Sequence, residues 1–378
     1  MSAEAATNWA EAEQIPVATR CPENDSDRAV RFAERFGADL RYVFCWKSWL
    51  QWDGSRWVRD TDGAVMRKAQ EMSQLFLEEA AQIENFNERK RAANLALKAG
   101  DAPKLRAMIE LAGAQPGIAA SPEMFDSDPY LLGVKNGVVN LRTGEFRQAR
   151  KEDYLTKQAG TEYVAGGECP QWETFLRDIF NSDDSLISFV QTAIGYSLTG
   201  VTDEQVLFFL HGTGRNGKST TTETLQALIG DYAQHAPAAL FVSSRHGGEP
   251  EKEIARLEGA RFVVGSEIEE GSKLAESRVK DLTGEDTLTG RFLYGSPFDF
   301  KATHKLWFFG NHKPDVSGTD LGIWRRMRLV PFGVQIEESK IDRQLPIKLL
   351  VELPGILNWS IEGCLHWQKE GVGCTAND

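Results

Sequence analysis

The spacing of apolar residues predicts helices in two stretches of the amino-terminal third of the chain. Over residues 27–36, apolar side chains recur on one face of a short helix, with Asp25 or Ser26 as its N-cap and Gly37 as its stop. Residues 65–113 are rich in Ala, Glu, Leu, Lys and Arg and have a break near residues 100–103. We therefore expect one short helix, then two or three amphipathic helices that serve as scaffolding.

A different pattern lies between these stretches, where Asp53-Gly54 predicts a type I′ turn between the two strands of a hairpin. Four tryptophans fall close together here and allow two interpretations. Exposed indoles would offer stacking surfaces to nucleic-acid bases, whereas packed indoles would form a small core, and we favour the core. The tryptophans are Trp46, Trp49, Trp52 and Trp57.

Further along the chain, the pattern predicts short strands followed by helices. Turn signals at Asn136-Gly137 and Thr143-Gly144 interrupt an apolar stretch, as in a short meander of strands. Residues 160–170 have the character of a linker. Apolar side chains over residues 172–198 have helical spacing and predict a pair of helices.

Length and composition indicate a soluble protein of two domains. Of the 378 residues, 41% are apolar and 26% charged, and no apolar run approaches the ~18 residues of a membrane span. The first residues lack the order of a signal peptide, so we expect a cytoplasmic location and no membrane partner. The five cysteines lie far apart without a CxxC pair, which argues against a zinc site and a disulfide framework.

Residues 206–229 have the pattern of an apolar strand, a glycine-rich turn that fits GxxxxGK[ST], and a helix. Glycines allow successive N–H groups to point at phosphates, and the helix N-terminus favours the same charge. We expect Lys218 to contact the β and γ phosphates and Ser219 to ligate Mg²⁺, so that the chain binds and hydrolyses ATP. The predicted nucleotide-binding residues are Gly212, Thr213, Gly214, Arg215, Asn216, Gly217, Lys218, Ser219 and Thr220.

Hydrolysis also needs polar groups at the ends of neighbouring strands. Residues 261–266 form a short apolar run that ends at Glu267, our first choice for the acid that holds Mg²⁺ and water. Glu269 and Glu270 are alternatives, and a solvated loop is a third interpretation. A second apolar run, residues 305–310, ends at Asn311, whose amide would reach the γ-phosphate or the attacking water.

Basic residues concentrate in the last quarter of the chain. Arg325 and Arg326 lie in an apolar run that is too basic for an ordinary strand, so one of them is a candidate arginine finger, although a basic surface strip is the alternative. The net charge of −12 means that any DNA binding must be local. The local basic set comprises Arg291, Lys301, Lys305, Lys313, Arg325, Arg326 and Arg328.

In their order along the chain, these features resemble superfamily 3 helicases, and more closely the primase-helicases of phages, plasmids and poxviruses. The resemblance is carried by residues 266–271, 282–284, 306–314 and 322–326, and by residues 136–144 in the preceding domain. It implies an α/β fold with an AAA+ P-loop ATPase core on a parallel sheet, after a smaller mixed α+β domain. The implied domains are a loose tail (1–25), an accessory domain (26–165), the ATPase (166–340) and a short helical segment (341–378).

The same resemblance implies a homo-hexameric ring around single-stranded DNA, with 3′-to-5′ translocation. Lys218, Glu267 and Asn311 would act from one subunit and Arg325 or Arg326 from the next. A hairpin over residues 289–303 would contact DNA, with candidates Arg291, Tyr294 and Lys301, although Tyr294 stands near the tip where some members have a Lys-His pair. Lys280 on the preceding helix is a further candidate, with a solvated surface position as the alternative.

Two departures from this family leave alternatives open. No primase catalytic domain is visible, so priming would come from another chain, and the chain ends earlier than family members do, as a truncation or prophage remnant would. A helicase that replicates a phage, prophage or plasmid is the preferred interpretation. The alternatives are an AAA+ ATPase that acts on protein, which the acidic net charge favours, and a remnant that binds ATP without unwinding.

Overall fold

The computed structural model describes residues 22–242, 250–266, 273–292, 295–311 and 321–373. The described residues form two compact units. The first comprises the residues up to Trp52 together with Val58–Pro122, and the second comprises Asp53–Trp57 and the residues from Glu123 onward. The domain boundaries expected from the sequence remain predictions.

The first unit consists of four helices and a small sheet in the order β3-β2-β1-β4, with β1 antiparallel to β2 and parallel to β4. Its core contains Phe32, Phe76 and Met108. The elements are α1 (Asp25–Phe36), β1 (Leu40–Val43), β2 (Ser48–Trp52), β3 (Trp57–Arg59), α2 (Ala64–Ala81), α3 (Phe86–Ala99), α4 (Ala102–Ala112) and β4 (Ala119–Ala120).

The helices of this unit follow the predicted pattern closely. Helix α1 ends at the predicted Gly37, but its N-cap is Asn24, because this side chain accepts the N–H of Asp27 at 2.8 Å. The predicted caps Asp25 and Ser26 are therefore wrong by one and two residues. The long helical stretch divides into α2, α3 and α4, as expected.

The turn between β2 and β3 occurs where it was predicted but is of a different type. A type I′ turn needs positive φ at both central residues, and only Gly54 has one, at 105°. Asp53 instead accepts the N–H groups of Ser55 and Arg56 at 2.7 and 2.8 Å, which closes a longer turn. The predicted tryptophan core is confirmed in part, since Trp57 is fully buried and half-buried Trp49 packs against the core of this unit, whereas Trp46 and Trp52 are half-buried.

The second unit contains the predicted meander, the helical pair and a five-stranded sheet. Its elements are β5 (Leu131–Val134), β6 (Gly137–Asn140), β7 (Glu145–Arg147), α5 (Pro170–Ile179), α6 (Asp184–Leu198), β8 (Leu207–His211), α7 (Lys218–Ile229), β9 (Ala233–Ala236), α8 (Pro250–Ala255), β10 (Phe262–Gly265), α9 (Glu276–Thr283), β11 (Thr287–Gly290), β12 (Phe298–Lys301), β13 (Lys305–Gly310), α10 (Leu321–Arg326), β14 (Met327–Pro331), α11 (Leu345–Val351) and α12 (Leu353–Glu370).

The five-stranded sheet is parallel throughout and has the order β14-β8-β13-β10-β9. Its central strands are nearly continuous apolar runs, because helices cover both faces of a parallel sheet. Strands β8 and β13 pair up to Gly310 opposite His211. The carboxyl ends of β8, β13 and β10 therefore meet at one edge, where open α/β sheets bind their ligands.

The predicted linker, residues 160–170, is irregular but packs into the second unit. The N–H of Gly160 donates to Leu228 O at 2.8 Å, and a Cβ on Gly160 would lie 1.8 Å from Ala227 O. This close approach fixes the segment against α7. Among the described helices, none has the length and apolarity to cross a membrane.

Candidate functional site

The glycine-rich turn lies at the carboxyl end of β8 and leads directly into α7. Gly214, Arg215 and Gly217 have φ values of 38°, 51° and 88°, so the backbone curls through left-handed conformations before the helix begins. A Cβ on Gly217 would lie 2.8 Å from Ile179 Cγ2. The predicted strand, loop and helix are thus confirmed, and two physical requirements select glycine at position 217.

Contacts with the ends of neighbouring strands hold this loop in place. Asn216 is 3% exposed and donates from Nδ2 to Phe332 O at 3.1 Å. The N–H of Gly212 donates to Gly310 O at 3.3 Å, and the N–H of Phe332 donates to His211 O at 2.7 Å. The loop is therefore anchored to the ends of both strands that flank β8.

The two side chains predicted to contact phosphate and metal stand at the first turn of α7. Lys218 is buried, and its Nζ donates to Gly212 O across the loop. Ser219 is exposed at the helix N-terminus, where backbone N–H groups and the helix dipole favour anions. An ammonium group, a hydroxyl and a curled run of amides therefore converge on one small region.

Asn311 follows β13 and reaches this same loop. Its Oδ1 accepts the N–H of Gly214 at 3.4 Å, which brings the amide beside the curled backbone. The sequence located this side chain only by its position after an apolar strand. The structure places it beside the glycine-rich loop, as its position in the sequence predicted.

The predicted acidic residues fall on a part of the chain that the structure does not describe. Strand β10 ends at Gly265 beside β13, and the N–H of Ser266 donates to Ala236 O at 3.0 Å. Glu267, Glu269 and Glu270 lie outside the described residues. The roles expected for them remain predictions.

The two candidate arginines have different surroundings at the end of α10. The run that contains them is helix α10 followed by strand β14. Arg325 is exposed, next to Trp324, which is 47% exposed. Arg326 is half-buried and donates to Gln205 Oε1 at 2.9 Å and to Thr283 Oγ1 at 3.1 Å.

The predicted hairpin is present, formed by β11 and β12 with Gly290 opposite Phe298. Arg291 and Lys301 are exposed, and Lys280 is half-buried on α9. Tyr294 lies outside the described residues. Sequence analysis did not single out Phe292, which is 48% exposed beside Arg291.

Lys313 lies outside the described residues, and among the rest of the predicted basic set one residue is not on the surface. Lys305 is 1% exposed at the start of β13, where its Nζ donates to Thr199 Oγ1 at 3.2 Å and lies 4.5 Å from the ring of Tyr196. Burial holds the pKa of Lys305 well below its usual range. Its inclusion among the residues that could attract DNA is therefore wrong.

A cavity of about 640 Å³ beside the glycine-rich loop was not predicted from the sequence. Arg215, Gly217 and Thr220 form its loop side, and the opposite walls come from α5 and from residues 334–346. Phe175 and Ile336 supply apolar wall surface. These residues are far apart in sequence, so no local pattern could have revealed the cavity.

Two family models match separate parts of the chain. Residues 29–181 match the family described as "D5 N terminal like", and residues 210–326 match a "Family of unknown function (DUF5906)". Curated relatives from large DNA viruses carry helicase or primase names. The matches support a relationship to the D5-like primase-helicases.

Three of these relatives define the extent of the similarity. "Putative helicase L207/L206" of Acanthamoeba polyphaga mimivirus is 27% identical over 75% of this chain and 32% of its own length. "Putative helicase 121R" of Invertebrate iridescent virus 3 is 27% identical over 56% of this chain and 23% of its own length. "Putative primase C962R" of African swine fever virus is 27% identical over 54% of this chain and 22% of its own length. The chain spans less than a third of each of these relatives.

Solved structures support the fold. The apo structure of the NrS-1 C-terminal region (305-718) superimposes with a TM-score of 0.56 at 11% identity, over 94% of this chain and 73% of the other. An A-form apo structure of the same region gives a TM-score of 0.54 at 10% identity, over 88% and 68% of the two chains. At this identity the likeness concerns the fold alone.

Proposed function

We propose that this chain is an ATP-dependent DNA helicase motor with a superfamily 3, AAA+ ATPase core that serves replication of a phage, prophage or plasmid. The observation that carries the proposal is the position of Asn311 Oδ1, 3.4 Å from the Gly214 N–H of the phosphate loop. This contact brings the proposed triphosphate-binding loop and the polar residue that follows β13 together at one edge of the sheet. The helicase and primase names of the viral relatives support the DNA-directed part.

The residues around the loop fit ATP and Mg²⁺. The curled amides and the Lys218 ammonium would bind phosphate oxygens, and the exposed Ser219 hydroxyl would be one oxygen ligand of the metal. When bound, the metal would neutralise charge that develops on the phosphates. Glu267 would be a further oxygen ligand and would hold the attacking water.

The cavity beside the loop suits the nucleoside part of ATP. Its volume of about 640 Å³ is within the range of roughly 300 to 1,000 Å³ typical of small-molecule sites. Phe175 and Ile336 offer apolar surface to a base, while Thr220, which follows Ser219 in α7, lines the same cavity. A nucleotide would therefore span from the cavity to the first turn of α7.

Turnover would require groups from two subunits. Asn311 would orient the attacking water or the γ-phosphate from the same chain, and Arg325 would enter the site of the next subunit in a hexameric ring. Arg325 is the better candidate for this role, because it is exposed while Arg326 is bound to Gln205 and Thr283. An isolated subunit would then hydrolyse ATP slowly.

The DNA-directed part of the proposal rests on the β11–β12 hairpin. Single-stranded DNA would pass through the ring, with exposed Arg291 and Lys301 and half-buried Lys280 near its phosphates. The motor would move 3′ to 5′ along this strand in the cytoplasm, and a separate primase would supply primers.

Steady-state ATP hydrolysis with and without single-stranded DNA tests this function, together with the mass of the assembly in ATP and Mg²⁺. We expect DNA to stimulate hydrolysis and Lys218→Ala to abolish it. Lys369→Ala is a matched control, because it removes an exposed lysine from the last helix. Normal hydrolysis by Lys218→Ala would refute the nucleotide site, and hydrolysis without any response to DNA would instead favour a motor that acts on protein.

A further inference from the structure

A row of three phenylalanine rings runs along the β11–β12 hairpin. The ring of Phe292 stacks on that of Phe298 with centroids 5.3 Å apart and an interplanar angle of 18°. Phe298 in turn contacts Phe300 at 5.8 Å and 31°. Phe300 packs against the core cluster that contains Leu288 and Ile323, so this end of the row is fixed to the body of the unit.

The other end of the row is open to solvent. Phe292 is 48% exposed although its ring is already stacked on one neighbour. A single exposed apolar side chain is ordinary on a protein surface. The Phe292 ring differs because stacking on Phe298 restricts its orientation. A second flat π-system could therefore add to the row without any ordering of the phenyl ring.

The charged side chains around Phe292 are of both signs, so their net attraction for nucleic-acid phosphates is weak. Arg291 is exposed, and its Nε donates to Gly295 O at 3.2 Å. Exposed carboxylates also lie on or just before the hairpin, at Asp299, Glu285 and Asp286. Because these acids offset the basic side chains, electrostatics alone is a weak source of affinity here, and stacking is the stronger contribution available.

We propose that Phe292 is a base-stacking contact that makes the hairpin selective for single-stranded nucleic acid. Bases in a duplex are stacked on their own neighbours, whereas an unpaired strand can place the face of a base on a phenyl ring. This inference rests on the proposed function and deepens it, since it names the contact and the strand state of the substrate.

Binding of the full chain to a labelled oligothymidylate tests the proposal, with two comparison ligands of the same length: an abasic oligonucleotide and a duplex. Phe292→Leu keeps an apolar side chain but removes the aromatic ring, and we expect roughly tenfold weaker binding to oligothymidylate, in line with stacking measured at other single-strand sites. Binding to the abasic strand and to duplex should change little. Phe292→Trp should restore oligothymidylate binding.

Phe86→Leu is the matched control, because Phe86 is 66% exposed on α3 and lies in the other unit. It should bind oligothymidylate as the parent does. Equal losses of Phe292→Leu on normal and abasic strands would overturn the stacking role, as would unchanged binding to both. A loss that accompanies a smaller assembly mass would assign the ring to contact with a second copy and would also overturn it.

These outcomes are separate from those of the proposed function. ATP hydrolysis without DNA and its loss in Lys218→Ala report on the phosphate loop alone. If the parent hydrolyses ATP but binds oligothymidylate and abasic strands equally, the ATPase proposal is supported and the base-stacking role of Phe292 is refuted.

Discussion

The guanidinium of Arg326 donates to the side-chain oxygen of Gln205 at 2.9 Å, while the adjacent Arg325 is exposed. A second donation from Arg326 Nε to Thr283 Oγ1 at 3.1 Å connects α10 to α9. Consecutive arginines in one helical turn point in different directions, so one is bound within its own unit and the other faces solvent. This difference separates two residues that the sequence left equivalent.

The first prediction concerns these two arginines. Arg325→Ala should leave stability and nucleotide binding intact and lower ATP turnover by about 10³ or more, because a finger stabilises charge on the transferred phosphoryl group. Arg326→Ala should cost roughly 1 to 3 kcal/mol of stability, because it leaves Gln205 and Thr283 without their donor. Urea unfolding measures the loss of stability in Arg326→Ala, and steady-state hydrolysis measures the loss of turnover in Arg325→Ala. The double variant should bind ATP but hydrolyse it slowly. Full turnover by Arg325→Ala would exclude it as the finger.

The second prediction concerns Asn311. Asn311→Ala should lower the rate of hydrolysis about 100-fold, comparable to the loss of one pre-aligned polar group in other enzymes. Binding of a non-hydrolysable ATP analogue should persist, because the loop amides and Lys218 remain. Asn94→Ala, which changes an exposed asparagine on α3, is the control. Loss of analogue binding equal to the loss of rate would show that Asn311 merely supports the loop.

Features formed by consecutive residues could be predicted from the sequence, whereas features that depend on contacts between distant segments could not. The glycine-rich loop could be predicted because its strand, turn and helix are consecutive in sequence. The position of Asn311 could be predicted because parallel strands end at one edge of a sheet. Lys305 was misjudged because only tertiary packing reveals that its ammonium is buried against Thr199 and Tyr196. The cavity wall at Phe175 likewise depends on segments distant in sequence.

The third prediction concerns Gly217. Its φ of 88° is unfavourable for an L side chain, and a Cβ would lie 2.8 Å from Ile179 Cγ2. Gly217→Ala should therefore destabilise the unit by about 1 kcal/mol or more and weaken ATP-analogue binding through distortion of the loop. Gly333→Ala is the matched control, because a Cβ there would meet no atom within 4 Å. Unfolding and binding titrations of both variants measure the difference, and equal behaviour would contradict the proposed constraint.

The fourth prediction concerns His304, which is 2% exposed just before β13. Burial, with a smaller contribution from the neighbouring Lys305, lowers the pKa of His304 from 6.5 to about 4. As pH falls through this window the unfolded chain takes up a proton that the folded protein excludes, so the free energy of unfolding should decrease by up to about 1.4 kcal/mol per pH unit. Urea unfolding of His304→Gln should lack this part of the slope, and His366→Gln, which changes a surface histidine, should keep it. An identical slope in His304→Gln and the parent would mean that His304 is not the titrating group.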